Sequence, residues 1–475
     1  MSERNVATYT RAKSGCRDAG RTMPARFAVA AGVVGWLAVS PAHAQVFGPG
    51  ELNPNQASMS IAIRNPALPA TEDPALCPSL VRKRAANNNS LPATEQALLD
   101  RCGRVVREPD AASKATALQE ITAEELNAPA ANAIDFSRSQ RSNIAARLVS
   151  LRNVSGGSLA NLQDPESLLP VTTGGAAGDE TAGGRLGLFV NGSLGEGDKD
   201  ETAFEAAYDF ELSGLTAGID YRFTDSLVGG VAVGYAESET DFDDEEGGSL
   251  EADGVTGSLF GAWYGDRAYV DLIASYGSQS YDSVRRVTYT LAEEPVPINH
   301  TATGDTDSEV TAAGLSAGYS FGEGGWRIGP TAAVSYLKVD IDGFAEQGGT
   351  NPELNLEFED QDAKSLQLQL GLDLAYTASV SWGVLTPYTR VSQIWEQEND
   401  QQTFLIRYVA DPFKTPETTA AVTSDDVDDS FVLWAVGISA AFANGFAGFI
   451  DYESVASLDT VSYGEFTLGL RFEFR

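Results

Sequence analysis

The chain predicts an all-β transmembrane barrel of twelve antiparallel strands with a small helical N-terminal region, and three observations carry that expectation. From residue 185 onward, apolar and polar side chains alternate nearly to the last residue, and in a strand this puts every second side chain on one face. The connections between the alternating segments are by turns short and long. No run of 18 apolar residues occurs, so a bilayer crossing would be made by strands.

The alternating segments start near residues 185, 212, 226, 250, 266, 308, 325, 362, 379, 430, 445 and 460. In the cleanest, Leu366, Leu368, Leu370, Leu372 and Leu374 share one face, with Gln367, Gln369, Gly371 and Asp373 on the other. Tight turns are expected at Thr224–Asp225, Gly265–Asp266, Gly322–Gly324 and Asn444, and long loops at 195–211, 281–307, 342–361 and 397–429. An outer-membrane barrel has short periplasmic turns and longer outer loops, with an apolar outward face. A soluble sandwich has no need of that asymmetry. Phe466, Leu468, Leu470, Phe472 and Phe474 in the last segment then face lipid, while Thr467, Gly469, Arg471 and Glu473 face the lumen. The 47 glycines suit turns and the 9% aromatic content suits strands.

Residues 1–44 read as a secretory signal. Arg17, Arg21 and Arg26 precede 13 apolar residues from Phe27 to Val39, and Ala42-His43-Ala44 before Gln45 gives the small-x-small cleavage site between Ala44 and Gln45. Export leaves Cys77 and Cys102 as one pair in an oxidising compartment, where a disulfide is expected. Residues 45–136 then form a short N-terminal domain. Its first part, to about Ser90, is rich in Pro, Asn and Ala and reads as an irregular arm. Helical spacing follows at Thr94–Cys102, and a capping box at Thr122–Glu125. A basic helix is expected over 137–152 and a Gly-rich linker over 153–184.

The helix 137–152 has two readings. Its Arg138, Arg141, Arg147 and Arg152 could plug the pore against the lumen carboxylates Asp220, Asp271, Asp373, Glu465 and Glu473, by charge-assisted pairing in a confined space. Alternatively it is an amphipathic helix of the N-terminal domain with a solvated face. The acidic stretch Asp241–Gly247 puts Glu246 where a calcium loop needs glycine, and a solvated surface accounts for it. No metal and no cofactor is expected. With 32 basic against 67 acidic residues the chain lacks the footprint for nucleic acid. Only His43 and His300 could supply the imidazole of a Ser-His-Asp triad, so no enzyme is expected.

Gly187–Ser193, Gly218–Asp225 and Thr467–Phe474 resemble the outer-membrane β-barrel (translocator) domain of autotransporters, the type V secretion proteins of Gram-negative bacteria. The resemblance covers 185–475. It implies a barrel-assembly signal at Thr467, Gly469, Phe472 and Phe474. It also implies a monomer that meets the secretion translocon and barrel-assembly machinery during biogenesis, and outer-membrane lipid and lipopolysaccharide afterwards. The barrel would anchor and export its own short passenger to the cell surface. A structural or channel-forming barrel with a periplasmic N-terminal domain is the alternative. Two features depart from the family pattern: Arg475 follows the terminal aromatic residue, and the linker separates the basic helix from the first strand.

Overall fold

In the computed structural model, which describes residues 51–155, 185–242, 247–398, 401–426, 428–442 and 446–473, the alternating segments form twelve long strands. They are β1 (Leu186–Lys199), β2 (Tyr208–Thr224), β3 (Leu227–Phe242), β4 (Ser249–Tyr264), β5 (Ala268–Leu291) and β6 (Glu294–Tyr319) in the first half. The second half adds β7 (Trp326–Ile341), β8 (Gln361–Tyr376), β9 (Gly383–Glu396), β10 (Ser430–Phe442), β11 (Phe446–Ala456) and β12 (Val461–Glu473). Each pairs antiparallel with its chain neighbours. A β1–β12 ladder running from Gly187↔Glu473 to Lys199↔Val461 closes the sheet on itself. The signal segment with Ala44 and Gln45, the linker residues 156–184, Phe474, and the side chains of Arg152 and Glu473 lie outside the described residues.

The two faces differ as the alternation requires. Val233, Leu259 and Leu470 are more than 60% exposed on the outside, a cost in water that lipid removes. Aromatic pairs ring the short-turn end, among them Tyr221–Phe223, Trp326–Tyr376 and Phe446–Phe472. A second belt, Trp434–Tyr452–Phe466, stands toward the other end. Such girdles mark the two interfaces of a membrane barrel.

Beyond the second belt the sequence expectations need correction. Residues 281–307 are not a loop: β5 and β6 continue as a ladder through Tyr289↔Ile298 to Leu291↔Glu294. Pro295 and Pro297 obscure this strand in the sequence, since proline argues against a central strand and is tolerated at a hairpin tip. The segments 342–361 and 397–429 contribute Phe344–Ala345, Leu356–Phe358, Thr403–Tyr408 and Ala420–Thr423 to a four-stranded sheet.

The arm expected from Gln45 to Ser90 is also largely helical where described. Asn53 caps α1 (Pro54–Ile63), accepting from Gln56 N at 2.7 Å while Gln56 Oε1 accepts from Asn53 N at 3.0 Å, with Pro54 at the first helical position. Then come α2 (Leu76–Ala86), α3 (Ala93–Arg107) and α4 (Ala111–Thr122), the last capped by Asp110. The Cys77–Cys102 disulfide joins α2 to α3, not a helix to an irregular arm. Thr122 does not open a capping box; its hydroxyl donates to Leu118 O and Ala123 ends α4 in the left-handed region at φ 56°.

After a turn at Glu124–Asn127, α5 (Ala128–Ser155) starts earlier than the basic run suggests, because 128–134 contains no charge to mark it. Ala128 packs with Tyr208, Phe210 and Leu250 near the long-connection end. Ile144 and Leu148 pack with Phe189, Val228 and Phe260 near the short turns. The helix therefore descends inside the barrel. Its 28 residues span about 42 Å, close to the full thickness of a bilayer with its headgroups.

Candidate functional site in the barrel lumen

The hydrogen bonds that hold α5 in the lumen go mainly to β1, β2 and β3. Asn191 of β1 donates through Nδ2 to Asn143 O at 2.7 Å, and Asn143 donates to Ser193 Oγ at 3.2 Å, with Ser139 Oγ 3.0 Å from the same hydroxyl. One turn away Gln140 accepts from Thr216 Oγ1 at 2.9 Å. Gln140 lies where a side chain at Gly234 would be: a Cβ there would stand 1.8 Å from Gln140 Oε1. These uncharged contacts were not foreseeable from charge pattern. Their only sequence trace is the Ser, Gln and Asn content of 137–143 and a glycine inside a strand.

The charged residues fall into three groups. Arg147 reaches Asp220 of β2 at 2.5 Å, with both side chains 2% exposed, and Arg471 of β12 donates to the same carboxylate at 3.3 Å. Arg138 pairs with Asp135 on its own helix at 3.1 Å and lies over the rings of Phe431 and Tyr463. Arg141 faces a cavity of about 160 Å³ between α5 and the β5–β11 wall, which Asp271, Asp451 and Glu453 also line.

Two other lumen carboxylates take hydrogen bonds from groups other than the helix arginines. Asp373 pairs with Arg390 at 3.1 Å because the two are directly opposite on β8 and β9. Glu465 accepts from the hydroxyls of Tyr463 and Thr467, neighbours on its own strand face.

The closing strand carries both faces of this arrangement. Phe466, Leu468 and Leu470 point outward, whereas Thr467 and Arg471 are buried inward. Gly469 also faces inward, where a Cβ would come within 2.5 Å of Asn191 Oδ1 and closer to Phe449. A side chain there would collide with the asparagine that holds α5. Phe472 packs on Phe446 in the lower aromatic belt.

Residues 188–453, more than half of the chain, match the family model described as "Autotransporter beta-domain". The chain belongs to the autotransporter family. Esterase EstA of Pseudomonas aeruginosa is 25% identical over 221 residues, 45% of this chain and 32% of the esterase. Outer membrane protein B of Rickettsia conorii is 23% identical over 234 residues, 48% of this chain and 14% of that protein. This autotransporter thus spans about a third or less of the length of these relatives. Among solved structures, the translocator domain of NalP from Neisseria meningitidis gives a TM-score of 0.46 at 14% identity, over 61% of this chain and 88% of that one. The β-domain of the Bordetella autotransporter BrkA gives 0.42 at 18% identity, over 61% and 100%.

This autotransporter is an outer-membrane protein, and its β-domain is not catalytic. Gly314-Leu315-Ser316-Ala317-Gly318 spells the Gly-x-Ser-x-Gly pattern, but it lies inside β6, not at the strand-to-helix corner a nucleophile elbow needs. His300 is buried in the β5–β6 extension, with Nε2 2.8 Å from Asn355 Oδ1 and Nδ1 accepting from Asn351 N at 3.3 Å. Both ring nitrogens are engaged by asparagines. Among the described residues no group of three or more His, Cys, Asp or Glu is placed to hold a metal ion.

Proposed function

We propose that this autotransporter exports residues 45–127 through its own barrel and then keeps them on the cell surface as a cap, with α5 left in the lumen as the plug. The observation that carries the reading is the direction of α5: its N-terminal end and the helices before it stand at the long-connection end, its C-terminal end at the short turns. In outer-membrane barrels the long connections face outward. A periplasmic N-terminal domain would sit at the opposite end.

Assembly would use the inward and outward features of the last strand as its address, with Thr467, Gly469, Phe472 and Phe474 read by the barrel-assembly machinery after the secretion translocon has delivered the chain. Outside the upper aromatic belt, Glu211, Glu239, Glu251 and Asp282 form one cross-strand row of like charge. This row would stand among lipopolysaccharide headgroups. The reading is non-enzymatic, and the esterase activity in EstA's name stays with that relative.

An epitope inserted at the exposed turn Asn88–Asn89 tests sidedness on intact cells, with a second epitope at Val296, on the β5–β6 tip, as the control. Both should bind antibody without permeabilisation. Labelling at Val296 alone would place the helical segment inside and end the export reading.

A further inference from the structure

The helices of residues 51–127 do not enclose a core by themselves. Met59, Leu98 and Leu118 belong to the same buried cluster as Val287 of the β5–β6 extension and Phe358 and Ile406 of the four-stranded sheet. The polar contacts show the same mutual completion. Asn55 accepts from Thr423 N at 2.8 Å and donates to Thr423 O at 2.9 Å, and Ser58 Oγ accepts from Ala421 N at 2.8 Å. α1 thereby satisfies the edge of Ala420–Thr423 as another strand would.

On the hairpin, Glu120 accepts from Thr288 N at 2.8 Å and Glu108 from Ala292 N at 2.7 Å. Arg285, 1% exposed, holds Glu346 by two bonds of 2.6 Å and donates to Glu120 O at 3.2 Å. Without the helices these backbone groups and apolar faces lose their partners, and without the sheets the short helices lack half their core. Helices of this length are marginal without tertiary packing.

We infer that the extracellular β5–β6 extension and the four-stranded sheet are a folding template for the exported segment. The segment becomes folded only where the template stands. The gain in stability therefore exists on one side of the membrane, and retention of the segment there depends on the template. The inference rests on the export reading above.

The test uses the full chain in cells, with the epitope at Asn88–Asn89 and two sets of substitutions. Ile406→Asp and Val287→Asp damage the template. Asn55→Ala with Glu120→Ala leaves the template sequence unaltered. Heat-modifiable mobility reports barrel assembly independently and should stay at the parent level in all of them. In the template variants, surface epitope should fall at least fivefold and protease should digest the segment at least tenfold faster in solubilised protein. The Asn55/Glu120 variant should show both effects at smaller size. A segment that stays protease-resistant on a damaged template overturns the inference, and so does a digested segment displayed at the parent level. Absence of surface epitope from the unaltered chain would instead defeat the export reading.

Discussion

Arg147 and Asp220 meet at 2.5 Å inside the barrel, and Arg471 of the closing strand shares the carboxylate at 3.3 Å. Gly187 makes the meeting possible, since a Cβ there would stand 2.8 Å from Asp220 Oδ1 and 2.9 Å from Arg471 Nη2. One carboxylate therefore ties the pore helix, the second strand and the seam between first and last strands. Removing Asp220 takes the shared carboxylate from two buried arginines, at about 3–5 kcal/mol, whereas removing Arg147 leaves Asp220 its bond from Arg471 and costs less. Arg147→Gln should free the lower half of α5 and raise single-channel conductance in planar bilayers. Asp220→Asn should do so too, and should also lower the temperature at which the barrel loses its heat-modifiable form. The two changes together should cost less than their sum. Strictly additive effects would mean the pair is not coupled.

Gly234 makes a second, uncharged prediction. A methyl group at this position displaces Gln140, which forfeits its bond from Thr216 Oγ1. Gly234→Ala should weaken helix docking by about 1 kcal/mol, seen as more frequent channel openings. The same substitution in a chain whose Gln140 is already Ala should leave the openings unchanged, because the collision is gone. A Gly234→Ala effect of equal size in both backgrounds would locate its cause in the strand.

How far these features were legible follows from where their partners lie. The barrel was readable because each strand carries its own period and needs no distant residue to reveal it. Asp220 and Arg147 were readable singly, as an inward acid and a helix base, but their pairing was not: Asp373 has the same strand pattern and is held by Arg390 across the ladder. The bond between Asn143 and Asn191 leaves only the amide-rich composition of 137–143 and nothing that names its partner, since uncharged amides suit many environments. α1 and α2 were hidden for another reason. Their burial is supplied by Ile406 and Val422, more than 300 residues further along, so local composition resembles a loop while tertiary packing makes helices.

The helical cap carries a pH prediction. Glu124 is 1% exposed, and burial pushes its carboxyl up to about 8, outweighing the hydrogen bonds donated by Gln119 and Asn53. The folded cap then keeps a proton that the unfolded chain releases near pH 4.5. Stability from this site is full below that pH and is lost as pH rises from about 4.5 to about 8. The helical signal at 222 nm should melt at least about 5 °C lower at pH 8.5 than at pH 6. Glu124→Gln should remove most of the difference. Equal pH slopes for the two proteins would show that another group governs the cap.

The outward stripe of β12 gives a depth-resolved test of the membrane embedding. Leu468 is 53% exposed and sits between Phe466 of the upper belt and Phe472 of the lower. Leu194 of β1 is 67% exposed and lies directly opposite Phe466, at the belt itself. Arginine on the lipid face costs about 2–4 kcal/mol at the midplane and about 0–1 near an interface. Leu468→Arg should therefore lower the unfolding free energy in phosphatidylcholine bilayers by about 2–4 kcal/mol, and Leu194→Arg by no more than about 1 kcal/mol. Both positions lie on the same seam, so loss of seam packing would weaken both variants alike. A cost that falls only on Leu468 requires a low-dielectric layer at its depth. Equal and small costs would mean that the stripe is solvated, and the apolar outer face would then need another covering.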